Sequence, residues 1–420
     1  MTLSIIVPIC NVEKYLPECL SSVIKQKRVD EIICINDGST DHCLDIIRKF
    51  EKKDNRIKVI DKSNSGYGDS VNQGIALATG DYVGILESDD TVVDDIYSEM
   101  MAIAEATNTD IVRGNFNTFE TSVKDIVYNN NMNGLEYNKV LSFKENKSIV
   151  FVMPAIWSAI YKKSFLVCKN LKLLPTPGAS YQDLSFFFKT LISSESIYLI
   201  DKPVINYRCD SIGSSTNCST KVFNIFNETA EMRKFILKNN LEELYPYVVR
   251  INFVNYLWSL NRLNENGRLK LLSRWIPELR DDYRKGYLQK YLWSDSDWNL
   301  VQMLLFNYEK VVDNISNLSV LRNGFTSTDV LKRVYPIYIY GAGKYGLKKK
   351  AELESLKVNV TAFIVTDIKD NPAEIDGIPV LSLDRMDRDG VIFLGVSERY
   401  RQEVLEILNK EWLQNNVVEF

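Results

Sequence analysis

A single histidine, His42, in 420 residues excludes any mechanism or metal centre that needs two imidazoles. Cysteine is no better placed for a metal: the seven residues, at 10, 19, 34, 43, 168, 209 and 218, form no Cys-x-x-Cys pair. Their odd number argues against a disulfide framework, and reduced thiols in a cytoplasmic protein fit better. Excess positive charge is also missing, since 51 Lys and Arg stand against 55 Asp and Glu for a net charge of −4. No cationic field points to nucleic acid as a partner. No apolar run is long enough to span a bilayer. The N-terminal MTLSIIVPICNVEKYL has neither a charged segment ahead of an apolar stretch nor a small-residue cleavage site. The expectation is therefore a cytoplasmic protein, or one held peripherally at the inner face of the cell membrane. If the chain is an enzyme, carboxylates carry its chemistry.

What is present is alternation. Over the first 115 residues, short β-branched runs at 4–7, 31–36, 57–60, 82–86 and 110–113 alternate with helix-period segments. Leu44, Ile47 and Phe50 mark one helix face, and Val71, Ile75 and Ala78 mark another. This predicts an α/β domain of parallel strands joined by right-handed crossovers and covered on both faces. In such sheets ligands collect beyond the carboxyl ends of the strands. Three polar clusters fall at such ends: PICN (8–11), NDGST (36–40) and ESDD (87–90). Each also has a purely structural reading. Asp37 or Ser39 could cap the helix starting near Asp41, and Asp89, Asp90, Asp94 and Asp95 could form a solvated loop before Ile96.

Glu87 and Asp89, one residue apart at a strand end, are expected to project to the same side. Hard oxygen ligands of this kind suit Mg²⁺ or Mn²⁺ with water and diphosphate oxygens completing the shell. Such an ion offsets negative charge on a departing diphosphate. The acidic end therefore reads as a cation site for a nucleotide-activated substrate.

Further along, the Asn-rich stretch 115–150 suggests a hairpin or surface excursion. From 221 to 330 the pattern is helical, with Val249, Phe253, Leu257 and Leu260 on one face and Trp258, Trp275, Trp293 and Trp298 nearby, a stripe read as core that could also bury a homodimer contact. From 331 to 420 a second α/β unit is expected. There Ile337–Tyr340 runs into GAGKYG (341–346), and a second strand over 360–365 ends near Asp367. Gly341, Gly343, Gly346 and Asp367 match the spacing of a dinucleotide fingerprint, or equally of a tight strand-to-helix turn without ligand.

Taken as a series, SIIVPICNVEKYLPECLSSVIKQ, EIICINDGSTD and SNSGYGDSVNQGIALATGDYVGILESDD resemble the family 2 glycosyltransferases of GT-A fold. The resemblance continues through PAIWSAIYKKSFL (154–166), LPTPGASYQDLSFFFK (174–189) and VINYRCDSIGSS (204–215), and implies a catalytic domain over 1–220. A helical accessory region (221–330) and a small Rossmann-like accessory domain (331–420) would follow. The resemblance implies inverting, metal-dependent transfer of a sugar from a nucleotide-diphosphate donor, chiefly a UDP-sugar, to a hydroxyl of a glycan or lipid-linked glycan in surface polysaccharide synthesis. By the same carry-over, Pro8, Cys10, Asn11, Asp37, Asn64, Asn72, Glu87 and Ser88 line the nucleotide-sugar pocket. Asp89, with Glu87, holds Mn²⁺ or Mg²⁺, and Asp183 is the general base. Trp157, Gln182 and Arg208 would face the acceptor.

Some residues depart from the family pattern. Cys10 stands where Tyr is common, Asn36 where Asp is, Glu87 where Asp is, and Gln182 where Glu is. The loss of a charge at Gln182 leads one to expect Asp183 to titrate as a more ordinary carboxylate than a paired acid would. Two other classes compete with this reading. One is a nucleotide-sugar-binding scaffold without turnover; the other is an NAD-dependent oxidoreductase working through GAGKYG.

Overall fold

A computed structural model describes residues 1–121, 123–132, 134–211, 219–306, 311–312, 336–355, 358–369, 371–387 and 390–410. Cys218, the end of the resemblance at 212–215 and the boundary expected at 330 lie outside these residues. The chain divides into two units, Met1–Leu244 and Tyr245–Phe420.

In the first unit, β1 (Leu3–Ile9), β2 (Glu31–Asp37), β3 (Ile57–Lys62) and β4 (Tyr82–Ile85) pair in parallel in the order β3-β2-β1-β4. Every residue of β1 and β2 is buried, which is why these strands are continuous apolar runs and not alternating ones. The crossovers are α1 (Leu16–Ile24), α2 (Cys43–Glu51) and α3 (Tyr67–Leu77). Helix α2 buries Ile47 and Phe50 as its spacing predicts, but Cys43 lies deeper than Leu44. Neither Asp37 nor Ser39 caps this helix: its N-cap position is His42, whose side chain makes no cap, and Asp41 Oδ1 accepts the Cys43 N–H at 3.1 Å.

The sheet then turns mixed. Strands β5 (Thr91–Val92), β6 (Ile111–Glu120), β9 (Ala159–Lys162) and β10 (Ile197–Arg208) extend it in the order β4-β9-β6-β10-β5. Strand β9 runs antiparallel to both β4 and β6. Strand β7 (Val123–Asn129) folds back on β6 as the hairpin expected near 115–150, and β8 (Val140–Leu141) pairs with β10. Helices α4 (Ile96–Thr107), α5 (Lys163–Cys168), α6 (Gln182–Ser193) and α7 (Ile225–Lys238) complete the unit.

Two loops are stitched together at the carboxyl edge of this sheet. Tyr67, opening α3, donates its N–H to the Gly178 carbonyl at 3.1 Å, just ahead of α6. Gly66 has φ +99°, and a Cβ there would sit 2.5 Å from the Thr176 carbonyl oxygen. Only glycine satisfies both the dihedral and the close approach.

In the second unit, α8 (Tyr245–Asn261), α9 (Glu265–Arg284) and α10 (Asp295–Phe306) precede a five-stranded sheet. The expected aromatic stripe is core at Phe253, whose ring meets Trp275 at 5.7 Å and Trp293 at 4.9 Å, whereas Trp258 is exposed. The sheet runs β13 (Glu374–Ile375), β14 (Ile378–Ser382), β12 (Ala362–Val365), β11 (Ile337–Tyr340), β15 (Val391–Leu394), flanked by α11 (Lys344–Ser355) and α12 (Glu398–Lys410). Its core joins Tyr338, Tyr340, Ile364 and Ile392 to Val404 and Leu408 of α12.

Replacing Gly66 with Ala forces a Cβ into both a left-handed backbone and a carbonyl oxygen. It should destabilise the protein by about 2–4 kcal/mol, read as a lower urea midpoint at unchanged m-value. An unchanged midpoint would show that the 66–178 contact is absent in solution.

Candidate active site

Three parallel strands deliver their carboxyl ends to one rim. Past β1, Asn11 takes φ +53° and its Oδ1 accepts the Thr40 N–H at 2.8 Å, while its own N–H donates to Ser39 Oγ at 3.2 Å. At the end of β2, Asp37 is buried and its carboxylate accepts the N–H groups of Ser65 at 2.8 Å and Gly66 at 2.9 Å as well as the Lys62 ammonium. Asn64 donates to the Asp37 carbonyl at 2.9 Å and to Cys10 Sγ at 3.4 Å. Pro8, Cys10, Asn11, Asp37 and Asn64 therefore share one rim, with Pro8 buried in β1 and the Cys10 thiol pushed up by burial and by Asp37. Asn72 is not part of this group. Its amide exchanges two hydrogen bonds, each 2.9 Å, with the backbone of Leu173 and ties α3 to the segment before α6.

The acidic end of β4 forms by a different route than strand alternation. The strand stops at Ile85, Leu86 still donates to the Ile6 carbonyl, and Asp90 N–H closes a turn on the Glu87 carbonyl at 3.1 Å. Side chains past Ile85 follow that turn and not a period of two, so the same-side geometry expected of Glu87 and Asp89 does not come from a strand. Glu87 Oε1 accepts the Tyr67 hydroxyl at 2.5 Å. Burial raises Glu87 to about 8 against that hydrogen bond, and the charges of Asp89 and Asp183 push the same way. Ser88 is buried. Asp90, which the solvated-loop reading leaves in water, is only 1% exposed. Its Oδ1 accepts the Arg208 N–H at 2.7 Å, its Oδ2 has no partner among the described residues, and burial raises its pKa far above the carboxylate range.

Asp183 stands in the first turn of α6, where Tyr181 at φ +62° leads into the helix. Burial raises Asp183 to about 6, while its own N–H and that of Leu184 favour the ionised form. The ordinary titration expected from Gln182 thus gives way to desolvation, which needs no neighbouring charge. The Asp183 charge is felt at Glu87, Tyr67 and Glu228. Tyr67, Asp90 and Glu228 are the members that the sequence reading left out. Tyr67 stands inside the quoted SGYGDS stretch, so its position was visible even though its partner was not.

The residues expected to face an acceptor have other duties. Gln182 is 2% exposed, accepts the Ser180 N–H at 2.5 Å and donates to Thr176 Oγ1 at 2.8 Å and the Gly178 carbonyl at 3.1 Å, so it organises its own loop. Trp157 is buried with its ring stacked on Tyr207 at 5.4 Å and edge-on to Phe116 at 5.1 Å. Arg208 is buried between the rings of Tyr15 and Phe119, and it donates to the Asp89 carbonyl at 2.8 Å and Thr121 Oγ1 at 2.7 Å while pairing with Glu18 at 2.5 Å. It is a brace beneath the acidic turn. In the second unit Gly341 takes φ +108°, Gly346 packs against the Gly341 carbonyl and Gly395, and Gly343 is open. The Asp367 carboxylate accepts the Lys369 N–H at 3.0 Å. Two of the three glycines therefore answer to packing.

Among the described residues no group of three or more His, Cys, Asp or Glu side chains converges as a metal cage. Hard oxygen donors in smaller number fit an ion such as Mg²⁺, which retains waters and binds through one or two carboxylates plus substrate phosphates.

Residues 4–165 match the family model described as Glycosyl transferase family 2. "Uncharacterized glycosyltransferase EpsJ" of Bacillus subtilis is 30% identical over 213 residues, covering 49% of this chain and 60% of that protein. "Poly(ribitol-phosphate) beta-glucosyltransferase" of Bacillus spizizenii is 34% identical over 119 residues, 27% of this chain and 19% of that one. The chain thus spans well under the full length of these relatives. The crystal structure of S. aureus TarS 1-349 in complex with UDP-GlcNAc superposes with TM-score 0.59 at 21% identity, over 78% of this chain and 93% of that one. That likeness establishes the fold.

Glu87 yields a stability test. Its folded pKa, about 8, lies above the ordinary 4.5, so the folded state holds the proton more tightly. Its contribution is full below the ordinary value and is lost as pH rises toward 8. Without divalent ions, the urea midpoint should fall between pH 5 and 8, and Glu87→Gln should flatten that fall. Parallel curves for the two proteins would mean that Glu87 is solvated and ionised.

Proposed function

Residues 4–165 belong to the family 2 glycosyltransferases, and from this premise we propose that the chain is a metal-dependent inverting enzyme that moves a sugar from a UDP-sugar to a hydroxyl of a glycan or glycolipid acceptor. The observation that supports the reading is that the charges of both Asp89 and Asp183 act on the buried Glu87 beyond the end of β4. Asp89 with Glu87 would hold Mg²⁺ or Mn²⁺, which supplies charge neutralisation to a departing diphosphate.

The other duties fall to the chain itself. Asp37 is used inside the protein, ordering Ser65 and Gly66 so that the rim formed by Cys10, Asn11 and Asn64 presents a fixed surface to a nucleotide. Tyr67 holds Glu87 in place through its hydroxyl. Asp183 accepts the proton of the acceptor hydroxyl as that oxygen bonds to the anomeric carbon. The bond from that carbon to the diphosphate oxygen breaks, and its electron pair leaves with the nucleotide. A base raised to about 6 is still mostly ionised at neutral pH and is a stronger acceptor than an unperturbed aspartate. The poly(ribitol-phosphate) beta-glucosyltransferase relative supports a cell-surface polymer as acceptor class, and the UDP-GlcNAc complex of TarS supports a UDP-linked donor.

A donor screen with purified full-length protein and Mn²⁺ tests this. Wild type should release UDP from at least one UDP-sugar, Asp89→Ala should lose metal dependence, and Asp183→Asn should lower turnover by about 10²–10⁴-fold with donor binding kept. Donor binding without turnover across the whole panel would favour the scaffold reading instead.

A further inference from the structure

Helices α6 and α7 both lie beyond the stretch 4–165 that the family model matches, and α7 grips α6 at three successive levels. Asn224 Nδ2 donates to Ser180 Oγ at 2.8 Å, just ahead of α6. Glu228 Oε2 accepts the Ser185 N–H at 3.3 Å, in the first turn. Glu231 pairs with Lys189 at 2.9 Å, one turn on, and the same ammonium donates to the Lys172 carbonyl at 2.7 Å. Positions 224, 228 and 231 recur at helical spacing, so one face of α7 registers the start of α6.

The middle contact is the unusual one. Glu228 is 1% exposed and its Oε1 has no hydrogen-bond partner among the described residues. The first N–H groups of a helix have no partner within it. Here Leu184 N–H turns back to the Tyr181 carbonyl at 2.9 Å, and Ser185 N–H is taken by Glu228. Asp183 stands two residues before Ser185 in the same turn. A change at Glu228 therefore reaches Asp183 through backbone.

We propose that Glu228 is a positioning residue for Asp183, fixing from α7 the helical turn that carries the base. This rests on the reading of Asp183 as general base. The groups facing Glu228 are Asp183 and Lys189 on α6, with Lys189 already engaged by Glu231. Burial, with a smaller push from Asp183, raises Glu228 to about 8, so at neutral pH it is a neutral acid that places no second charge beside the base. Above that pH a buried unpaired carboxylate would form and loosen the turn.

The test is steady-state UDP release by full-length protein from the best donor of the screen, followed from pH 5.5 to 9 for wild type, Glu228→Ala, Glu228→Gln and Asp183→Asn. At pH 7 Glu228→Ala should lose roughly ten- to hundredfold in kcat with donor KM nearly unchanged, the signature of a displaced catalytic group. Glu228→Gln, an uncharged mimic of the neutral acid, should restore kcat and should lack the fall in activity that wild type shows above about pH 8. Loss of turnover in Asp183→Asn, alongside wild-type kcat and pH profile in both Glu228 variants, would overturn this inference alone. A wild type that turns over no donor would overturn the base assignment and this inference with it.

Discussion

Carboxyl groups removed from water dominate this molecule. Glu87, Asp90, Asp183 and Glu228 all sit where burial raises their pKa, and the fold meets that cost mainly with dipoles, with smaller help from Arg208 at Asp90 and Lys189 at Glu228. Tyr67 supplies a hydroxyl to Glu87, Arg208 a backbone amide to Asp90, the first turn of α6 its own amides to Asp183, and Ser185 an amide to Glu228. The Arg208 guanidinium is directed at Glu18, Thr121 and the Asp89 carbonyl. Such a cluster strongly favours a positively charged guest, because low polarity amplifies every charge left in it. The proposed metal chemistry grows from that constraint.

The rest of the first unit fixes the geometry of this cluster. Asp37 orders the Ser65–Gly66 turn, the Gly66–Tyr67 step meets the loop at 176–178, and Gln182 ties that loop to the head of α6. A single bonded path therefore runs from the rim at the end of β2 to the head of α6, which carries Asp183. Tyr67 lies on that path and also touches Glu87, so the rim, the acidic turn and the head of α6 are held in one frame. Rigid support of this kind is what the proposed displacement needs.

Much of the frame was legible as pattern. The runs at 4–7 and 31–36 became central parallel strands, paired on both sides, because β-branched residues without polar alternation fit a sheet buried on both faces, whereas 57–60 became the half-exposed edge strand β3. The clusters at 8–11, 36–40 and 87–90 fell on one edge because parallel strands share a carboxyl end. Less was legible at the level of single side chains. Asn72, Gln182, Trp157 and Arg208 are each committed to the protein's own backbone or rings. Asp90 looked like a solvated loop residue because a run of acids reads as hydrophilic, whereas the turn at 87–90 folds it under β10.

By itself the amino-acid order determined the α/β class, the strand ends that bear polar residues and the reliance on carboxylates, since these follow from local periodicity and from which side chains are present at all. Tertiary structure alone decided which acids lose their water, that Tyr67 meets Glu87, and that Glu228 reaches the turn of Asp183 across 43 residues of sequence. Proton affinity and hydrogen-bond partners depend on what surrounds a group in space, and spacing along the chain carries no record of that.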